Sequence, residues 1–444
     1  MGIPDLYIGF LSLFFLLLLI GMGVSIALAL GTVGFVGYTL IKGLPAALGL
    51  IGTLPYHITA HWALVVVPLF MLLGNFMLYG GIGKEAYEGA HKIIGHVRGG
   101  LLMATTLAAA AFGFASGSSL ASAATFTTIA LPEMDKYGYQ KGFALAGIAS
   151  AGTLAALIPP SAMMVIYCIF TEVSIGKVLI AGIFPGLLTA VLFMSTAYLQ
   201  VRLRPALAPV SGVNLPWKAK LTAVKAILPL LPVAAVILGG IYLGLFTATE
   251  AGAIGAFVAL LVFIVRTRGR NLLSFTRDAM VGAARTTSMI FIIIVGAFVY
   301  SRFLSTTGVM AAASKFMAGL PVSPVVVVIL ILCILLVLGT FLEAVAILAL
   351  TMPIFFPIIM DLKVDPVWFG ILVVMLIEIG VLTPPLGTNV FVVQAAAKSI
   401  GYDITLEEIF GGLLPFFIAY IISVALVLSF PSIALWLPGK MMGQ

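Results

Sequence analysis

Charge is what this sequence has least of. Only 8% of its 444 residues are Asp, Glu, Lys or Arg, against about 25% in a soluble domain. With 62% apolar residues, too few polar groups remain to face water around the core such a chain would bury, so its solvent is a bilayer. Cysteine is nearly absent. Cys168 and Cys333 both fall inside apolar runs, which excludes a disulfide framework and a cysteine metal motif. The four histidines, His57, His61, His91 and His96, lie early, make no metal motif and read as interfacial. No phosphate-loop pattern occurs, which argues against ATP-driven transport. No Lys or Arg precedes the apolar run 8–20, so the basic n-region of a cleaved signal peptide is missing and the run reads as a retained first helix.

What charge there is sits between apolar runs. The net +7 comes from Lys and Arg in short loops, the pattern of the positive-inside rule, and nucleic-acid binding is excluded. Apolar runs predict spans at about 6–28, 30–50, 61–80, 176–200, 226–246, 248–265, 283–305 and 410–437. Two linkers are basic. One carries Arg202, Arg204, Lys218, Lys220 and Lys225, the other Arg266, Arg268, Arg270 and Arg277. Two spans lie between them, so both fall on one side, the cytoplasmic one.

Two stretches, 99–171 and 323–397, are not simple spans. Each begins with an apolar run broken by small polar residues: Phe114-Ala-Ser-Gly-Ser-Ser-Leu-Ala-Ser122 in the first, Gly339-Thr-Phe-Leu-Glu343 in the second. Each passes a short charged loop, 132–136 or 361–365, and continues into an apolar run broken by a double proline, Ile158-Pro-Pro-Ser161 or Thr383-Pro-Pro-Leu386. A short segment with Gly and a few charges precedes each stretch, at 81–98 and 308–319. This is an internal repeat, inverted because an odd number of crossings separates its halves. Paired broken segments in two halves are the best sequence pointer to a transporter binding site. The fold class expected is an all-α polytopic membrane protein: an inverted-repeat elevator-type transporter with two re-entrant hairpins and two broken transmembrane helices. Its divisions would be 1–98, scaffold helices and a first interfacial arm; 99–200, transport repeat 1; 201–322, basic linkers, scaffold helices and a second arm; and 323–444, transport repeat 2. Ten full crossings then leave both termini periplasmic.

A helical proline lacks its N–H and frees the carbonyl four residues back. Pro159 and Pro160 would free Ala155 and Ala156; Pro384 and Pro385 would free Gly380 and Val381. Such carbonyls must face a protein-lined cavity or a cation. Hydroxyls lie close by: Ser116, Ser118, Ser119 and Ser122 at one tip, Thr340 at the other, and Thr383 before the second doublet. Carbonyl and hydroxyl oxygens together suit sodium, so one cation site is expected per repeat, between a tip and a broken span. The alternative is that the prolines only kink a span and the small residues only let helices pack. Glu250, Arg285, Asn75, Asn389, Glu343 and Glu378 lie in or near apolar runs. Snorkelling or pairing at span ends explains Glu250 and Arg285, while Glu343 and Glu378 fall close to the second tip and break.

The segments Ala151-Gly-Thr-Leu-Ala-Ala-Leu-Ile-Pro-Pro-Ser161, Thr247-Ala-Thr-Glu-Ala-Gly-Ala-Ile-Gly255 and Leu382-Thr-Pro-Pro-Leu-Gly387, with the Ser116-Gly-Ser-Ser119 tip, resemble the large permease subunit of the tripartite ATP-independent periplasmic (TRAP) transporters over essentially the whole chain. The resemblance implies a sodium-driven elevator importer of organic acids in the bacterial inner membrane, not an enzyme, with no cofactor beyond Na+ as coupling ion. It implies two partners: a small four-helix membrane subunit, expected as a separate chain because this one starts directly with its first span, and a soluble periplasmic substrate-binding protein. Carried over by position, the first sodium site would use Ser116 and Ser119 with the carbonyls of Ala155, Ile158 and Pro160. The second would use the carbonyls of Gly339, Gly380 and Leu386 with Thr383. Ala155 stands where the family often has Gly, which keeps the carbonyl but reduces backbone freedom. Thr153, Ser161, Thr388 and Asn389 are the candidate substrate contacts. Two rivals differ in class. A single-component carboxylate symporter or antiporter of related architecture would carry Ser-Asn-Thr triplets at its tips, and none occurs. An intramembrane protease would need a histidine base later in the chain, and the last histidine is His96.

Overall fold

The computed structural model describes residues 5–209, 216, 228, 230–268, 272–319 and 322–441. Lys218, Lys220, Lys225 and Arg270 of the basic linkers, and part of the 226–246 run, lie outside the described residues. Within them the chain is helical. The amino-terminal helices are α1 (Asp5–Gly21), α2 (Ile26–Lys42), α3 (Leu44–Thr59) and α4 (Trp62–Tyr79). Two apolar runs, 6–28 and 30–50, are thus recast as three helices. The reason is glycine: Gly23 and Gly43 sit at φ of +83° and +86°, a region that interrupts a helix and suits a residue with no side chain. Pro45, in the first turn of α3, then restarts the helix.

The first repeat runs through an arm, α5 (Ile82–Ile94), a helix pair, α6 (Gly100–Ser116) and α7 (Ser119–Lys136), a broken helix, α8 (Lys141–Leu157) and α9 (Ala162–Thr171), and a long helix, α10 (Ile175–Leu203). The parts α8 and α9 meet at a 45° bend. After α11 (Leu230–Tyr242) and α12 (Ala248–Thr267) comes α13 (Leu272–Thr307), 36 residues long and about 54 Å at 1.5 Å per residue. The same order then recurs: an arm, α14 (Val309–Ala318), a helix pair, α15 (Pro324–Gly339) and α16 (Ala344–Asp361), a broken helix, α17 (Pro366–Gly380) and α18 (Thr388–Ser399), and a long helix, α19 (Leu406–Ser429). The chain closes with a short helix, α20 (Ser432–Leu435), so the expected 410–437 span ends at Ser429.

Among the described residues, six helices are long and apolar enough to cross a membrane, or seven if α8 and α9 count as one. The ten crossings expected from sequence require shorter apolar helices, α1, α2, α11 and α17 among them, to cross as well. Packing follows that order in part. Helix α2 runs along α13 and α4 along α12; α10 and α19 pack on each other, α10 also on α6 and α19 on α8. Among the described residues, helix α3 has no counterpart in the second half. From 142 to 152 in α8 and from 367 to 380 in α17 every residue is buried. A helix apolar on all faces belongs in a core, and these two form its centre. The arm α5 is amphipathic instead: Ile82, Ala86 and Ala90 are buried while Lys84 and Glu88 are exposed. Its Glu85 pairs with Arg266 at the end of α12, tying the arm to the neighbouring helices.

Candidate functional site

Each helix pair turns through a short tip, and each tip lies against the break of its own repeat. At the first, Gly117 has φ +58°, and a Cβ there would meet the Pro160 carbonyl at 2.7 Å. The Ala162 N–H donates to Gly117 O at 3.4 Å. At the second, Gly339 and Gly380 touch backbone to backbone, with a Cβ on Gly339 falling 2.9 Å from Gly380 Cα. Only glycine at both positions allows that approach.

Between the tips and breaks lies a cavity of about 100 Å³, room for several waters. Its wall takes Ser118 and Ser119 from the first tip, Glu343 and Ala344 from the second, Ala156 and Ala162 from the first break, and Val381 and Thr388 from the second. Met71 of α4 and Met289 and Ile290 of α13 close it. The direction of the helices gives the cavity its electrostatics. Ser119, Ala162, Ala344 and Thr388 all line it, and they are the first residues of α7, α9, α16 and α18. Helix N-termini carry partial positive charge; Ser118 and Ser161 cap two of these four, and Glu343 stands before a third in the same wall. Four such ends facing one space favour negative charge there.

The candidate cation ligands lie at the opposite helix ends. Ser116 closes α6, Ala155 is in the last turn of α8, Gly339 closes α15 and Gly380 closes α17. Carbonyls of a last turn are unsatisfied and carry partial negative charge. Three of the four carbonyls expected to be freed by the prolines have other donors instead. Ala156 O accepts from the Ser161 hydroxyl at 2.5 Å; Gly380 O accepts from Thr383 N–H at 2.9 Å and Val381 O from Asn389 N–H at 3.1 Å. The chain tightens after each helix end, and N–H and O–H groups of the break replace what proline removes. Ala155 O alone has no protein donor among the described residues. The Ser116 hydroxyl, at the end of α6, is buried and unpartnered.

A hydroxyl can ligate a cation only with its lone pairs, so its proton must point elsewhere. Two of the three candidate hydroxyls, those of Thr383 and Ser119, meet that condition. Thr383 Oγ1 donates to Ile379 O at 2.7 Å, and Ser119 Oγ donates to Glu378 Oε1 at 3.3 Å. These residues fit a small hard cation. Ile158, Pro160 and Leu386 lie within the breaks; Pro160 O faces the first tip, while Leu386 is exposed.

Of the four candidate substrate contacts, Thr388 lines the cavity. Thr153, Ser161 and Asn389 are fully buried and do not line it. Thr153 Oγ1 donates to Ser150 O, and Ser161, besides holding Ala156 O, accepts from Met164 N–H at the start of α9. Asn389 Nδ2 reaches Ala149 O at 3.4 Å, joining the second break to the first repeat. The other intramembrane polar residues divide as follows. Glu250 completes a capping box with Thr247, and Asn75 donates to Ala279 O, both structural. Glu378 is wholly buried, with Oε2 unpartnered. The wall from α4 and α13 had no signal in the sequence, because Met71, Met289 and Ile290 look like any lipid-facing residue.

A helical membrane protein whose broken helices meet in matched pairs around a polar-tipped cavity is a transporter permease in architecture, not an enzyme. The chain belongs to the family described as tripartite ATP-independent periplasmic transporter, DctM component, whose model matches residues 11–433. It is 36% identical over 390 residues to the C4-dicarboxylate TRAP transporter large permease protein DctM of Pseudomonas aeruginosa, covering 86% of this chain and 88% of that one. It is 30% identical over 384 residues to the sialic acid TRAP transporter large permease protein SiaM of Vibrio cholerae, covering 86% and 88%. Its fold is similar to that of the Alcanivorax borkumensis YdaH transporter, at a TM-score of 0.64 and 15% identity over 97% of this chain and 98% of that one.

Proposed function

We propose that this chain imports a small organic acid across the bacterial inner membrane, driven by sodium, in an elevator cycle with substrate handed over by a periplasmic binding protein. The observation that carries the reading is the convergence of four helix N-termini on one cavity, with the candidate cation ligands at the adjoining C-terminal ends. An anionic carboxylate belongs at the first set and sodium at the second. Relatives named for C4-dicarboxylate and for sialic acid support a carboxylate-bearing solute. At about 100 Å³ the cavity is smaller than the roughly 300 Å³ of the smallest usual ligand pockets, so the tips must part to admit the solute.

In this cycle the pairs α6–α7 and α15–α16 are re-entrant hairpins. They move with the broken helices, α10 and α19 as one block, against a scaffold of α1–α4 and α11–α13. The arms α5 and α14 join the two. A separate small membrane subunit completes the scaffold, the basic loops face the cytoplasm, and both termini are periplasmic, with α3 not crossing. Sodium binds at Ser116, Ser119, Ala155, Ile158 and Pro160, and again at Gly339, Gly380, Thr383 and Leu386. Thr388 and the helix N-termini meet the carboxylate, with Thr153, Ser161 and Asn389 behind them. Uptake by proteoliposomes tests this. Labelled solute should accumulate only with the binding protein present and an inward sodium gradient. Equal uptake under choline, or uptake by the permease alone, would overturn it.

A further inference from the structure

The hydroxyls of the two candidate cation sites are held differently: that of Ser116 is buried without a partner, while those of Thr383 and Ser119 each give up a proton. Thr383 gives its proton to a carbonyl of its own helix, Ile379 O. Ser119, on α7 of the first repeat, gives its proton to Glu378, on α17 of the second. Glu378 is fully buried in the centre of the protein. Its other carboxylate oxygen, Oε2, has no partner, so the Ser119 hydroxyl is its one side-chain contact by hydrogen bond among the described residues. Two residues further along α17 is Gly380, whose backbone touches Gly339 of the second tip. One side chain therefore reaches from the second cation site into the first.

We propose that Glu378 is a positioning residue that turns the Ser119 lone pairs toward the first cation and couples sodium binding in one repeat to sodium binding in the other. The inference rests on the sodium reading above. A cation on Ser119 draws on its lone pairs and makes its O–H a stronger donor. The bond to Glu378 tightens, which holds α17, and with it Gly380, in the position where Gly380 packs on Gly339. The converse holds by reciprocity: a cation at the second site fixes α17 and presents Glu378 to Ser119. Leaving a buried carboxyl with a single hydroxyl partner is costly, and at this seam the cost is tied to a bond that sodium strengthens.

The test reads sodium binding itself, as thermal stabilisation of the detergent-solubilised full chain over a series of sodium concentrations, with choline holding ionic strength constant. Glu378→Met, which removes the acceptor at similar bulk, should raise the midpoint about tenfold and flatten the concentration dependence. Glu378→Gln, which keeps the shape but puts an amide in place of the carboxyl, should raise it about threefold. In a Ser119→Ala background neither change should add anything, because the partner is gone. Midpoints and slopes equal to wild type, or effects that simply add to those of Ser119→Ala, would overturn the proposal. Should the Met variant fail to fold, the Gln and Ala cycle decides alone. A wild-type chain that sodium does not stabilise sinks the sodium reading and this inference with it. A wild-type response that the variants share sinks the inference only.

Discussion

Gly380 and Gly339 touch through their backbones: a Cβ built on Gly380 would stand 2.5 Å from Gly339 Cα and 3.1 Å from Gly339 O. The tip of the second helix pair is thus seated on the end of α17 with nothing between them. Gly380→Ala should force the two apart and cost about 1–3 kcal/mol, the range for overpacking. This would occur even though alanine is the better helix former by up to about 1 kcal/mol. Gly52→Ala, in α3 with nothing within 4 Å, is the control and should stabilise or do nothing. Thermal unfolding of the two purified variants separates the cases; equal behaviour would mean the glycine contact is not a constraint.

Ser161 carries two bonds in the first break, one to Ala156 O and one from Met164 N–H. Ser161→Ala removes a helix cap and strands a buried carbonyl, so the expected loss is about 1–3 kcal/mol. Ser161→Thr keeps the hydroxyl and should recover most of it. If alanine and threonine variants unfold at the same temperature, the bonds contribute nothing.

The Glu85–Arg266 pair joins the arm α5 to the end of α12, each side chain about one-third exposed at 33% and 30%. Partial exposure screens the pair, so reversing either charge alone should cost only about 0.5–1 kcal/mol. Reversing both, as Glu85→Arg with Arg266→Glu, should restore stability. The measurement is a double-mutant cycle at low and high salt; a coupling energy of zero at low salt would show that the arm is held by packing alone.

His91 gives the arm a pH dependence. Burial holds its imidazole below the usual range, opposed by the negative charge of Glu133. A depressed folded-state value means the unfolded chain takes up its proton first as pH falls. The contribution of His91 is therefore complete above the unfolded value of about 6.5 and is lost progressively below it. Thermal stability of the wild type should fall more steeply below about pH 6.5 than that of His91→Asn. Parallel curves would place the acid sensitivity elsewhere.

Much of the site was legible because it is local. The double prolines, the serine tip and the small-polar tip are contiguous, and each breaks a helix wherever it stands, so the two matched breaks are legible in the sequence. The amino-terminal helices were less legible. Gly23 and Gly43 end helices through positive φ, but glycines such as Gly49 and Gly52 sit inside α3, and sequence does not tell one kind from the other. The partners of the freed carbonyls were not legible for a related reason. Proline removes a donor at a known position, but the replacement donors, Ser161, Thr383 and Asn389, are set by how the chain turns after the helix.

By itself the sequence determined the solvent, the helical class, the repeat and the places where helices must break, since each follows from composition or from backbone chemistry within a few residues. Only the tertiary structure decided that four helix N-termini meet in one cavity, that Met71, Met289 and Ile290 close it, and that Glu378 reaches Ser119 across 259 positions. Those relations depend on how α4, α7, α13 and α17 pack. In a chain so uniformly apolar, hydrophobic patterning carries little information about which helix faces which; the close contacts of glycines and the pairing of buried polar atoms settle it.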